Sequence, residues 1–354
     1  MPRPLLVTAD PALLDALLRL TAAAGVEPDV APDPTAARAA WPGAPLVVVG
    51  DDVADALVRV AVPRRADVAL VGTDLDDAGV WQRGVALGAE HVVFLPDGEE
   101  WLVERLAEAA RGGPRGRVVG VVGGRGGAGA TTLAVALAVA ARRGGEQVLL
   151  VDADPLGGGL DLALGAEAAP GARWPQLTGG RLTTAVLDDA LPRFGELAVL
   201  SAGRDDVPVP PERVAALIDT ARRAAELVVV DLPRQADDAA RAALVRCDAV
   251  LLVVPAEVRA CAAAARVAAA VCGAVDDVRV VVRLPSPSGL SADLVAESLG
   301  LPLAATYRTE SGVVAGLERG ELTARLTRGS LAKAAASLVA AVRPGRVMGG
   351  PAAA

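Results

Sequence analysis

The chain has 354 residues, so two domains are the starting expectation, and its 53% hydrophobic content is ample for buried cores. A net charge of −8 argues against a general nucleic-acid binder, which would present a basic surface. The single histidine, His91, rules out a histidine metal cluster and leaves no basis for a serine–histidine triad. Cys247, Cys261 and Cys272 form no CxxC pair and read as small buried apolar residues of a reduced, cytoplasmic protein. Arg266 interrupts the longest Ala/Val stretch, so no membrane span is expected, and MPRPLLVTADP lacks the apolar core of a signal peptide.

In chain order, short apolar runs alternate with helix-like stretches. LLVTAD (5–10), LVVVG (46–50), VALVG (68–72) and HVVFLP (91–96) are separated by amphipathic segments and followed by a helix from about 99 to 111. Strands of four to six apolar residues between helices predict a parallel sheet covered on both faces. RGGPRGR then reads as a linker over 111–116, rich in Gly, Pro and charge. A second series runs from Arg117: VVGVVG, VLLVDAD (148–154), LAVLSAG (197–203), LVVVDLP (227–233), AVLLVVP (249–255), VRVVVRLP (278–285) and LPLAA (301–305). Its nearly continuous apolar strands again predict a doubly wound, mostly parallel α/β sheet. Ser330 is placed to cap a last helix with Leu331, Ala335, Leu338 and Val342 on one face, and 344–354 reads as a disordered tail.

The second series opens with strand, glycine loop and helix: VVGVVGGRGGAGATTLAVALAVAARRGG. Glycines let backbone N–H groups converge on an anion, and the helix N-terminus adds its positive dipole end. Gly126, Gly127, Ala128, Gly129, Ala130, Thr131 and Thr132 are therefore the candidate phosphate cradle, with Thr131 placed to ligate Mg²⁺. Three carboxylates fall at ends of later strands: Asp152 and Asp154 in VDADP, and Asp231 in VVVDLP. In doubly wound sheets ligands bind beyond the carboxyl ends of the strands, so all of these should meet at one edge. Asp231 fits a group that holds Mg²⁺ through water, and Asp154 could orient an attacking water.

From these motifs residues 117–343 resemble the MinD/ParA family of P-loop ATPases, whose loop reads KGGxGKTT. The resemblance implies binding of ATP or ADP with Mg²⁺, with Asp152 also at the nucleotide site, and a homodimer. Three positions depart from the pattern. Ala130 stands where the lysine reaching the β- and γ-phosphates is expected; Arg125 replaces the signature lysine that crosses the dimer; Arg283 stands where an asparagine commonly reads adenine. The only lysine in the chain is Lys333. Arginine is a good phosphate ligand, so Arg125 keeps its charge, but Ala130 deletes a cation outright. A charge-assisted hydrogen bond contributes roughly 1.5–3 kcal/mol, which predicts a ten- to hundredfold loss of affinity unless Arg125 compensates. Loss of one transition-state donor costs about 10²–10³ in rate, so hydrolysis should suffer more than binding.

Residues 1–110 resemble a degenerate response-regulator receiver. A working receiver needs an acidic pair, a phosphoacceptor Asp and a lysine. Here Asp10 stands alone after the first strand, Asp51 and Asp52 follow the strand ending in Gly50 and read as loop-solvating carboxylates, and Leu95 takes the lysine position. Phosphotransfer is therefore not expected. A degenerate receiver joined to a MinD-like domain resembles the CpaE/TadZ proteins, and GGRGGAGAT resembles the actinobacterial branch that includes septum site-determining members. That resemblance implies a spatial regulator of the septum or of a pilus or secretion apparatus, with partners among those proteins and recruitment to septum or pole. The alternative is an active ATPase using Arg125. The helix near 330–343 has small apolar residues and only Lys333 and Arg343 as basic anchors, so it should dock on the core, with membrane contact indirect or weak. Arginines 213, 222, 223, 241 and 246 lie among acidic residues, which argues against DNA binding.

Overall fold

In this computed structural model the described residues are 3–342, except 66, 78, 111–115, 178, 180, 181 and 204–208. The expected linker, Gly116 apart, and the expected tail lie outside them. The chain forms two units, Met1–Gly113 and Pro114–Ala354.

The first unit is one parallel sheet of β1 (Leu5–Val7), β2 (Asp29–Ala31), β3 (Val47–Gly50), β4 (Val68–Gly72) and β5 (His91–Phe94), in the order β2-β1-β3-β4-β5. Strand β2 was not read from the sequence; it is a three-residue edge strand with two exposed positions. The core lies on both faces of the sheet, with Leu5, Val7, Val47 and Val49 in one layer and Leu6, Val48 and Val71 in the other. Alternate residues point to opposite faces of a strand, so continuous apolar runs supply both layers.

The second unit holds eight strands: β6 (Arg117–Gly123), β7 (Val148–Asp152), β8 (Arg193–Phe194), β9 (Leu197–Leu200), β10 (Leu227–Leu232), β11 (Ala249–Pro255), β12 (Val278–Leu284) and β13 (Leu303–Arg308). Their order is β13-β12-β11-β6-β10-β7-β9-β8, all parallel except the short β8–β9 pair. One face carries Val118, Val122, Val228, Val230, Val280 and Val282. The opposite face carries Val119, Val121, Val229, Leu251, Val281 and Tyr307, packed with Leu133 and Leu137 of helix Ala130–Arg143. The last helix, Ser330–Ala341, buries Leu331, Ala335 and Leu338 in this second layer. Its cap differs from expectation: Glu310 Oε1 accepts from Ser330 N (2.6 Å) and Leu331 N (3.1 Å), while the Ser330 hydroxyl accepts from Arg308 N. Of the cysteines only Cys247 is buried; Cys272 is exposed.

Candidate functional site

The chain order of β6, β10 and β11 puts the glycine loop at the point where the sheet winds both ways. Strand β6 lies between β10 and β11, and its loop opens at the carboxyl edge. There the backbone turns through Gly127 (φ 68°) and Gly129 (φ 102°), both left-handed, before helix Ala130–Arg143 begins. Only glycine takes these angles without a steric cost of roughly 1–2 kcal/mol. The first turn of the helix leaves N–H groups without intrahelical acceptors. The loop faces a cavity of about 370 Å³ lined by Gly126 to Thr132, Asp154, Asp231, Arg283 and Tyr307 among others.

Pleat alternation explains which side chains arrive there. In β10, Leu227 and Val229 belong to the layer under helix Ala130–Arg143, so Asp231, two further on, emerges on the same side. Asp152 follows Val148 and Leu150 in the same way. Asp231 is 5% exposed, and its carboxylate takes a hydrogen bond from the Thr131 side chain. Burial pushes its pKa up to about 7 against that hydrogen bond, and the charges of Asp152 and Asp154 push the same way. Among the described residues no three His, Cys, Asp or Glu side chains converge on a metal position. Thr131 and Asp231 nevertheless fit Mg²⁺ chemistry, in which the ion takes one or two protein oxygens, phosphate oxygens and water. A cation there would favour the charged carboxylate and so oppose the burial that raises the Asp231 pKa.

The structure does not bring Asp152 to the loop as a ligand group. It is 3% exposed and absent from the cavity lining. Its carboxylate accepts from Asp154 N (3.1 Å), Leu160 N (3.1 Å) and Ala202 N (3.4 Å), bracing the segment that presents Asp154. Burial raises its pKa to about 6, those three amides opposing the shift. Asp154 does border the cavity, half-buried.

Arg125 is committed elsewhere. Its Nη2 meets both carboxylate oxygens of Glu257, at 2.9 and 3.0 Å, and its Nη1 donates to Gly126 O at 2.9 Å. Arg283, by contrast, donates from Nη1 to Gly127 O at 3.0 Å and so reaches the loop itself. Neither contact is visible in the sequence, although the alternation of VRVVVRL already sets Arg283 on the face of Val281.

At the carboxyl edge of the first unit Asp51, Asp52 and Asp77 are each paired internally. Asp51 and Asp52 open helix Asp51–Arg59 and are not loop residues. Asp51 Oδ2 accepts from Arg83 Nη2 at 2.7 Å, and Asp77 pairs with the same guanidinium. That pairing holds Asp77 below the usual carboxylate range. Asp52 accepts from the Thr8 hydroxyl (2.8 Å), Ala9 N (2.7 Å) and Asp10 N (3.0 Å). Leu95, at the lysine position, is buried in the core.

Residues 7–118 match the family described as Rv3660c-like, CheY-like N-terminal domain, and residues 117–296 match the family described as cellulose biosynthesis protein BcsQ. The protein Rv3660c of Mycobacterium tuberculosis is 44% identical over 343 residues, 95% of this chain and 96% of its own length. The chain belongs to the Rv3660c-like family. The chain joins a CheY-like domain to a BcsQ-type domain. A protein of Emiliania huxleyi named for MinD is 26% identical over 214 residues, 58% of this chain and 79% of its own. Among solved structures, a ParA family ATPase of Chlorobium tepidum superposes with a TM-score of 0.58 at 19% identity, covering 64% of this chain and 99% of that one. The MinD of Pyrococcus horikoshii complexed with Mg-ADP gives 0.56 at 20%, covering 64% and 96%. These likenesses show the fold of the second unit. Among the described residues no helix is long and apolar enough to cross a membrane.

Proposed function

We propose that this Rv3660c-like protein is a nucleotide-binding spatial regulator of septum placement or of a pilus or secretion apparatus, with weak or no ATPase activity. The supporting observation is a loop and helix N-terminus facing a cavity beside the Thr131–Asp231 pair, with Ala130 where a lysine would project. The ligand would be ATP or ADP with Mg²⁺, held by Gly126 to Thr132, with Mg²⁺ on Thr131 and, through water, on Asp231. The bound ion would supply charge neutralisation for the phosphates, and the chain's part is to orient them. Asp154 is the candidate for positioning a water if hydrolysis occurs.

A CpaE/TadZ-like role follows from the domain pairing, and output through protein partners suits the internally satisfied first unit. The solved MinC:MinD cell division protein complex of Aquifex aeolicus gives a precedent for a protein of this fold in complex with another protein. A homodimer in the cytoplasm, recruited to septum or pole by a partner, completes the reading. Nucleic acid does not fit as well: Arg222 pairs with Asp248 and Arg246 with Asp219. The competing reading, an active ATPase driven by Arg125, is disfavoured by the bidentate hold of Glu257 on that guanidinium. Turnover measured with labelled ATP, for wild type and Ala130→Lys, separates the two. Slow or absent hydrolysis in wild type, rising in the variant, supports a binding switch; rapid wild-type turnover that Arg125→Ala abolishes supports the competitor.

A further inference from the structure

The deleted loop lysine raises the question of which cation, if any, meets a bound phosphate. Four arginines border the cavity: Arg125, Arg234, Arg283 and Arg308. Arg234 and Arg308 are exposed, so solvent screens them. Arg125 has its charge opposed by the Glu257 carboxylate. Arg283 is half-buried, and among the described residues its side chain contacts one acceptor, the neutral carbonyl of Gly127. A guanidinium has five N–H donors, so most of this one's capacity and all of its charge remain available.

The position is built rather than accidental. Arg283 lies in register between Pro255 of β11 and Tyr307 of β13, and its own carbonyl accepts from Ala256 N at 3.0 Å. A Cβ on Gly129 would sit 2.9 Å from the Tyr307 hydroxyl and 3.6 Å from Arg283 Nη1, so both polar tips crowd the loop where the helix starts. Tyr307 is 4% exposed, and among the described residues its buried hydroxyl has no hydrogen-bond partner. An unmade hydrogen bond on a buried hydroxyl is costly and calls for an acceptor. Burial also pushes the phenol up to about 12, so it stays a donor at neutral pH.

We propose that Arg283, carried on a different strand from the loop and backed by the Tyr307 hydroxyl, replaces the missing loop lysine as the cation for the terminal phosphates of a nucleoside di- or triphosphate. The inference rests on the nucleotide reading above. It relocates the charge from the first turn of the helix to the end of β12, which leaves Ala130 small enough for a guanidinium to lie across the loop. Tyr307 adds a neutral donor on the same side.

The test is calorimetric titration of the full chain with Mg-ADP and Mg-ATP. The variants are Arg283→Ala, Arg125→Ala, Tyr307→Phe and the double variant Arg283→Ala/Ala130→Lys, each with its ligand-free unfolding midpoint recorded. Arg283→Ala should weaken binding about ten- to hundredfold, and Ala130→Lys in that background should restore it. Arg125→Ala should change affinity less than about threefold, below the effect of a lost charged contact. Tyr307→Phe should lower affinity while the ligand-free midpoint holds or rises, a pairing that a purely packing role does not produce. Wild-type affinity retained in Arg283→Ala, or a loss carried by Arg125→Ala instead, overturns the inference. No binding by wild type with binding by the double variant Arg283→Ala/Ala130→Lys also overturns it while sparing the phosphate loop. No binding by any of these proteins defeats the nucleotide reading itself.

Discussion

Both units are parallel α/β sheets with acidic residues at the carboxyl edge, and both lack a lysine that the related sites use, at Leu95 in one and Ala130 in the other. They differ in what became of the remaining polar groups. In the first unit Arg83 closes on Asp51 and Asp77, Asp52 is taken up by Thr8 and two amides, and Leu95 joins the core. In the second unit the loop amides face a cavity, Asp231 is buried with its pKa raised, and among the described residues the Tyr307 hydroxyl has no hydrogen-bond partner and Arg283 no ion pair. A site that has lost its ligand can be repaired by internal pairing. One that still pays for exposed or buried unpaired groups is better explained by a ligand that completes it.

The comparison breaks most sharply at Gly129. Gly129→Ala imposes a left-handed residue at φ 102° and a Cβ within 2.9 Å of the Tyr307 hydroxyl. It should abolish nucleotide binding and cost about 1–2 kcal/mol of stability in denaturant unfolding. An unchanged midpoint with intact binding would mean that the loop geometry is not needed.

Asp231 gives the next largest effect, with a defined sign. Its pKa is raised to about 7 and that of Asp152 to about 6, so the folded chain holds protons that the unfolded chain has released. From these groups, ligand-free stability is greatest below the ordinary carboxylate range near pH 4 and falls as pH rises towards about 7. Asp231→Asn should flatten that slope, raise the ligand-free midpoint at pH 8, and weaken Mg-nucleotide binding. Thermal unfolding across pH 5 to 8 checks the slope; a steeper one in the variant contradicts the assignment.

In the first unit the expected effects are smaller. Acetyl phosphate with Mg²⁺ should leave the chain unphosphorylated by intact mass, because Asp51 and Asp52 are occupied and Leu95 offers no charge. Stoichiometric phosphorylation would make this unit a working receiver. Arg83→Ala should lower the unfolding midpoint modestly, less so at high salt, and leave nucleotide affinity unchanged. A shift in nucleotide affinity would mean that the internal pairs of the first unit report to the second.

The two βα series were legible because parallel strands buried on both faces write themselves as apolar runs, and the phosphate loop was legible because its requirements are local: glycines, a helix start, Thr131. Asp231 was legible as a strand end. The edge strands Asp29–Ala31 and Arg193–Phe194 were not, being too short to carry a period. The roles of the arginines were hidden for another reason. Arg125 is held by Glu257, 132 positions away, and Arg283 reaches Gly127 across 156. Both contacts depend on the strand order β12-β11-β6, which alternation within a strand does not encode. Asp152 looked like a ligand group because its neighbours do; its three amide donors became visible only once Leu160 and Ala202 were folded over it.

The most direct test of the central claim, that the second unit retains a live nucleotide site despite Ala130, is calorimetric titration of the wild-type full chain with Mg-ATP. Saturable binding near one nucleotide per chain, lost in Gly129→Ala, is the predicted result. No binding at millimolar ATP, in a protein shown to be folded, would contradict it and leave the second carboxyl edge a relic, like the first.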